Sequence, residues 1–161
     1  MSIFLAIYWV GLSPALENWR TDKAIQDFSG EYYMGFYWSW HLSIKTDSTF
    51  TLEVFTDMGG QMEYSGNFVV ENNQFRLITS DENFNEPTEL IPVKWGQRRY
   101  IITADMVDDF CYDISQKWEP RDMVVGGPFY LRENDWEKPA EWLPVLLNGF
   151  PLCSVSSLFS Q

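Results

Sequence analysis

Histidine occurs once in this 161-residue chain, at His41, and cysteine twice, at Cys111 and Cys153. A Ser–His–Asp or Cys–His machine would have to run through that one imidazole, and no GxSxG nucleophile turn accompanies it. His41 sits beside Ser39 and Ser43 on the polar phase of a predicted strand, which reads as an exposed or edge histidine without a catalytic role. A single cysteine pair is not a disulfide framework, and neither residue lies in a CxxC or zinc-ligand spacing. Cys111, among apolar neighbours, reads as a small buried hydrophobe.

Basic residues are also scarce: 11 Lys and Arg stand against 23 Asp and Glu, a net charge of −12. Nucleic-acid binding draws most of its affinity from cations meeting phosphates, so this surface argues against DNA, RNA and anionic lipid alike. The same charge either simply keeps the protein soluble or steers and attracts a basic protein. No phosphate-binding loop is present, because Gly59-Gly60 and Gly126-Gly127 are turn pairs without a following Lys-Ser/Thr. No cofactor is therefore expected. The apolar run Ile3 to Val10 falls far below the ~20 residues that cross a bilayer. No basic residue precedes Arg20, so Ser13-Pro14-Ala15 lacks the positive flank of a secretory signal, and the run reads as a strand or core segment of a cytoplasmic protein. No repeat, low-complexity tract or linker divides the sequence, which predicts a single β-rich domain over 1–161. A chain of this length buries roughly 70% of its unfolded surface without help from disulfides or metals.

What the chain has in excess is aromatic: 8 Trp, 8 Tyr and 12 Phe, or 17% of all residues. Ser13-Pro14 opens a short helix that runs to about Asp27, with Leu16, Trp19 and Ile25 facing inward. From Tyr32 the period changes to two, with Trp38, Trp40, Leu42 and Ile44 alternating with polar residues. Phe50, Leu52 and Val54 repeat the pattern after the Thr46–Thr49 turn, and Met62, Tyr64, Phe68 and Val70 repeat it after Gly59-Gly60. Gly66 suggests a bulge or tight bend. Glu71-Asn72-Asn73 leads into a strand from Phe75 to Thr79, and Ser80 to Thr88 is a polar loop. Leu90 to Trp95 and Tyr100 to Ile102 form a hairpin across Gly96-Gln97, and Thr103 caps a helix from about Ala104 to Ser115. Met106 or Val107, Phe110, Cys111 and Ile114 share the inner face of that helix. Phe129 to Arg132 is a last strand, followed by an extended tail beyond Pro139. About seven strands and one packed helix predict a mainly β fold. Its antiparallel meander curls into a small barrel-like, lipocalin-like sheet that hides its edges.

Two acidic clusters invite a metal and fail on inspection. Asp81 to Glu86 begins like a calcium loop, but Glu86 stands where glycine is needed and Pro92 where the closing Glu is needed. Asp105, Asp108 and Asp109 share one helix face without the convergent partners of a hydrolytic site. No metal is expected. The candidate ligand or partner surface consists instead of Tyr33, Tyr37 and Phe55, which fall on the phase opposite the core, together with His41. These residues line a pocket or an interface, or are extra aromatic packing of a small β core. Arg98, Arg99, Arg121 and Arg132 are expected to pair with surplus carboxylates, and Glu119-Pro120-Arg121 to hold the helix exit against the sheet.

Several short motifs carry a resemblance: Gly30-Glu31-Tyr32-Tyr33, Thr49-Phe50-Thr51-Leu52, Pro92-Val93-Lys94-Trp95-Gly96, Asp109-Phe110-Cys111, Glu119-Pro120-Arg121, Phe129-Tyr130-Leu131-Arg132 and Lys138-Pro139. Over about 30–147 the chain resembles a group of bacterial β-rich proteins of unknown activity. It departs from them at Gly35-Phe36-Tyr37-Trp38, which is bulky where the group is glycine-rich. The resemblance implies a fold and a bacterial setting, and no catalytic residues. The leading functional expectation is a non-enzymatic, inhibitor- or immunity-type module that meets a basic protein. The alternatives are a barrel that carries a small apolar or sugar-like ligand, which needs an internal pocket of at least ~300 Å³, and an enzyme of unrecognised type, which needs a cleft joining His41 to two or more carboxylates.

Overall fold

A computed structural model describes residues 18–34, 40–55, 59–116, 130–133, 135–140 and 144–153. Expectations for Ile3–Val10, Ser13-Pro14, Leu16, Tyr37, Trp38, the 119–121 motif and Phe129 lie outside them. Helix α1 covers 18–28 and ends where Gly30 takes a φ of 148° to begin strand β1, Gly30–Met34. The strands β2 (Trp40–Ile44), β3 (Thr49–Phe55), β4 (Gln61–Glu71) and β5 (Gln74–Ile78) follow as antiparallel neighbours. The strand expected from Tyr32 onward is thus two strands, β1 and β2, paired from Gly30 opposite Ile44 to Met34 opposite Trp40.

The turns follow from residue chemistry. Asn72 and Asn73 both have positive φ, 50° and 65°, giving a two-residue hairpin of the kind that matches strand twist. Gly66 makes no bulge, since it stays in register opposite Phe50. Glycine is needed there because a Cβ would collide with the Ile78 carbonyl oxygen and crowd the Phe50 ring. Strands β6 (Glu89–Trp95) and β7 (Arg98–Thr103) form the hairpin read across Gly96. A 3₁₀ turn at Ala104–Met106 leads into helix α2, Val107–Ser115. Thr103 makes no side-chain cap bond; it remains a buried strand residue, which corrects its expected capping role. β8 is Tyr130–Arg132, a second 3₁₀ turn spans Asp135–Glu137, and β9 is Val145–Leu146.

The nine strands form one sheet in the order β5-β4-β3-β2-β1-β8-β7-β6-β9, curled into a half-barrel. Its β5 end returns to β6 along a short seam, Phe75 opposite Leu90 and Arg76 opposite Glu89. The free side of β6 is therefore shared, with β5 covering its start and β9 its end at Val93 and Lys94. Pro92, which has no N–H to give, sits at the gap between the two.

Two cores result. The concave side is filled by Tyr32, Leu42, Ile44, Phe50, Leu52, Val54, Phe68 and Phe75, with Ile25 and Phe28 of α1 packed among them. Trp19 of α1 is exposed, contrary to its expected inward placement. On the convex side of β6 and β7, Ile91, Val93, Tyr100 and Ile102 pack against Phe110 and Ile114 of α2. Cys111 is no isolated hydrophobe: it forms a disulfide with Cys153, fastening the last described segment to α2. Among the described residues, no helix is long and apolar enough to cross a membrane.

Candidate functional site

Strand alternation fixes which side chains leave the core. In β1 to β4, Tyr32, Leu42, Leu52 and Tyr64 point inward, so Glu31, Tyr33, His41, Ser43, Glu53 and Glu63 emerge on the convex face. The register then arranges them in two rows across the sheet. One row runs Tyr33, His41, Glu53 and Glu63, and the next runs Glu31, Ser43, Thr51 and Ser65. Glu133, whose amide donates to the Glu31 carbonyl at 2.7 Å, extends the second row beyond β1.

His41 is clamped between two of these carboxylates. Its Nε2 lies 2.7 Å from Glu31 Oε2 on one side, and its Nδ1 lies 3.0 Å from Glu53 Oε2 on the other. Carboxylate oxygens only accept, so satisfying both contacts requires both ring nitrogens to carry protons. Partial burial opposes the charge and the two carboxylates outweigh it, so the imidazole pKa stands above its ordinary 6.5. Tyr33 stacks on the ring at 4.6 Å between centroids and 2° between planes. Desolvation first, then Glu133, Glu31 and Glu53, raise the Tyr33 phenol above its ordinary 10.0. Ser43 donates to the second oxygen of Glu31 at 2.9 Å. Among the described residues, no Lys or Arg pairs with Glu31, Glu53, Glu63 or Glu133.

Of the four residues singled out from the sequence, Tyr33 and His41 come into direct contact. Phe55 lies on the same face, two positions beyond Glu53 on β3, and Tyr37 is outside the described residues. The histidine is not the plain exposed residue expected, because its side chain is 25% accessible and bonded on both sides. Glu31 and Glu53 were not anticipated. They lie 10 and 12 positions from His41, and only the strand register brings them to it.

The arrangement suits charge recognition better than proton transfer. A general base needs a free ring lone pair within reach of its target, and here both nitrogens face carboxylates. The barrel mouth holds a cavity of about 80 Å³, lined by Trp40, Leu42, Leu52, Leu77, Glu86 and Leu90 among others, on the opposite side of β2 and β3. Burial raises the pKa of its Glu86 above the ordinary 4.5. The volume is room for roughly three water-sized groups. No cluster of His, Cys, Asp and Glu that could hold a metal occurs among the described residues.

A second, deeper charge cluster joins α1, β7, β8 and the second 3₁₀ turn. Asp135, fully buried, accepts from Lys138 Nζ at 2.6 Å, the Arg99 amide at 2.8 Å and Arg132 Nε at 3.1 Å. Arg99 also donates to Asp27 Oδ1 at 2.6 Å, and Arg132 to the Asp27 carbonyl at 2.9 Å. Arg99 and Arg132 thus pair with carboxylates as expected, and Arg98 donates its Nε–H to the Lys138 carbonyl at 2.7 Å. Asp135 at its centre is fully buried, while Asp27 and Lys138 at its rim remain partly accessible.

No protein family model, curated protein or solved structure matches this chain.

Proposed function

We propose that the protein is a non-enzymatic interaction module of inhibitor or immunity type, which binds a basic protein through the convex face of β1 to β4. One observation carries the reading: four carboxylates, Glu31, Glu53, Glu63 and Glu133, share the face of the Tyr33–His41 stack, and among the described residues no Lys or Arg pairs with them. Tyr33 is 47% exposed beside them and supplies the amphipathic aromatic surface typical of interface anchors. The net charge of −12 adds long-range attraction for a cationic partner. The resemblance to bacterial β-rich proteins belongs to the same proposal. The carrier alternative draws little from a concave side filled by aromatic and aliphatic side chains, since an 80 Å³ cavity is far below the ~300 Å³ of a small-molecule site.

The cytoplasmic setting inferred from the sequence and the Cys111–Cys153 disulfide pull in opposite directions, because the cytosol keeps most thiols reduced. Thiol alkylation of the protein as it leaves the cell decides between them. The interaction reading is tested by titrating the protein with a synthetic Lys-Gly repeat peptide while following amide chemical shifts. Shifts centred on β1 to β4, abolished by moderate salt, are the expected result. Shifts spread over Asp108 and Asp109 of α2, or insensitive to Glu31→Gln and Glu53→Gln, would overturn it.

A further inference from the structure

We propose that His41 is a resident counter-cation of this patch, occupying in the free protein the place that a partner's basic side chain takes in the complex. Partner binding is then coupled to proton release. The inference rests on the interaction reading above and adds its regulation.

The geometry sets the chemistry. An imidazolium donates to Glu31 and Glu53 at once, at 2.7 and 3.0 Å, so both carboxylates are engaged while the proton is held. A neutral imidazole keeps one N–H and turns its other nitrogen into a lone pair. One carboxylate then loses its donor and faces a lone pair, and the patch gains one negative charge. An incoming ammonium or guanidinium group finds a free acceptor and no like charge beside it. Bound first to the protonated form, the same group would repel the imidazolium and expel its proton.

Among the described residues, every charged or titratable group that faces His41 from the neighbouring strands is an acid. Glu31 and Tyr33 stand on β1, Glu53 on β3, Glu63 one strand farther on β4, and Glu133 after β8. The nearest cation along β2 is Lys45, four residues away and exposed. The anionic ring therefore holds the proton on His41 in the free protein, consistent with a pKa above 6.5. Only a cation delivered from outside reverses that balance.

The test uses the full chain and the Lys-Gly peptide, whose amines stay charged up to about pH 9 because a lysine pKa is near 10.4. Affinity is measured by calorimetry at constant ionic strength from about pH 6 to about pH 9, with one proton linked to binding permitting up to about tenfold per pH unit. We expect the wild-type protein to tighten by about tenfold across this span and to release protons on binding. His41→Gln should bind with nearly pH-independent affinity at the wild-type high-pH level. His41→Arg, which keeps the cation permanently, should bind weakly throughout. Wild-type affinity that is flat with pH, or a rise that survives in His41→Gln, would overturn the gate while leaving the interaction reading intact. If Glu31→Gln with Glu53→Gln weakens the peptide no more than Asp108→Asn with Asp109→Asn, the patch is not the site and both proposals fail together.

Discussion

The protein contains two charge clamps that mirror one another. In the inner clamp an anion, Asp135, is held by Arg132 and Lys138, and its carboxylate is fully buried. In the outer clamp a cation, His41, is held by Glu31 and Glu53, whose side chains are 42% and 28% accessible. The difference lies in solvent and in the central group. Burial makes the inner clamp costly to break, because removing one partner leaves uncompensated charges away from water. The outer clamp sits where water screens each pair, so it contributes little to stability and remains free to respond. Its centre is the side chain whose charge changes nearest neutrality. One clamp fastens α1, β7, β8 and the second 3₁₀ turn together, and the other carries a proton on the surface.

The sharpest way to break the comparison is to remove the two centres. Asp135→Ala should cost about 3–5 kcal/mol in urea unfolding, as expected when a buried ion cluster loses one member. The loss should barely change with added salt. If it fell below about 1 kcal/mol, the inner clamp would be no more structural than the outer one. The disulfide supplies a tie of similar scale that uses no charge. Reducing Cys111–Cys153, which closes a separation of 42 residues, should cost about 2–4 kcal/mol and free the β9 segment without shifting His41. Unfolding with and without reductant, with the His41 imidazole followed by NMR, checks both parts.

The smallest effect belongs to the outer clamp and depends on pH. The folded pKa of His41 is raised above its unfolded value near 6.5, so its stabilisation is complete below that value. It fades as pH rises through the folded pKa. His41→Gln should therefore lose about 0.5–1 kcal/mol at about pH 5.5 and nothing measurable at about pH 9. A loss of equal size at both pH values would mean that His41 matters for packing and not for its charge.

Much of the fold was legible because it depends on local pattern. Phe50, Leu52 and Val54 alternate cleanly, and the β6–β7 hairpin turns at Gly96, whose φ is 63°. The β1–β2 hairpin was hidden because bulky residues alternate from Tyr32 to Ile44 with no run of turn formers to interrupt them. The clamps were hidden for a different reason. Arg99 meets Asp27 across 72 positions, and His41 meets Glu53 only because Leu42 pairs with Leu52. A one-residue slip of β2 would have turned His41 inward, so no spacing within the chain discloses its partners. Cys111 looked apolar in its local setting, and its partner lies in the last described segment, where sequence pattern is weak.

The seam between β5 and β6 has a mechanical consequence. Within the meander the strands are joined by long ladders, such as the seven register pairs between β3 and β4, whereas the seam has two, as few as the β1–β8, β7–β8 and β6–β9 pairings. Leu77 and Leu90, one on each side of that seam, also line the cavity at the barrel mouth. The wall beside the cavity is thus joined by far fewer register pairs than the meander, and a parting at Phe75 and Leu90 undoes less than one between β3 and β4. Amide protons there should exchange ahead of those in β3, and a protease able to cut 79–88 would leave the meander standing on one side and the α2-bearing hairpin on the other.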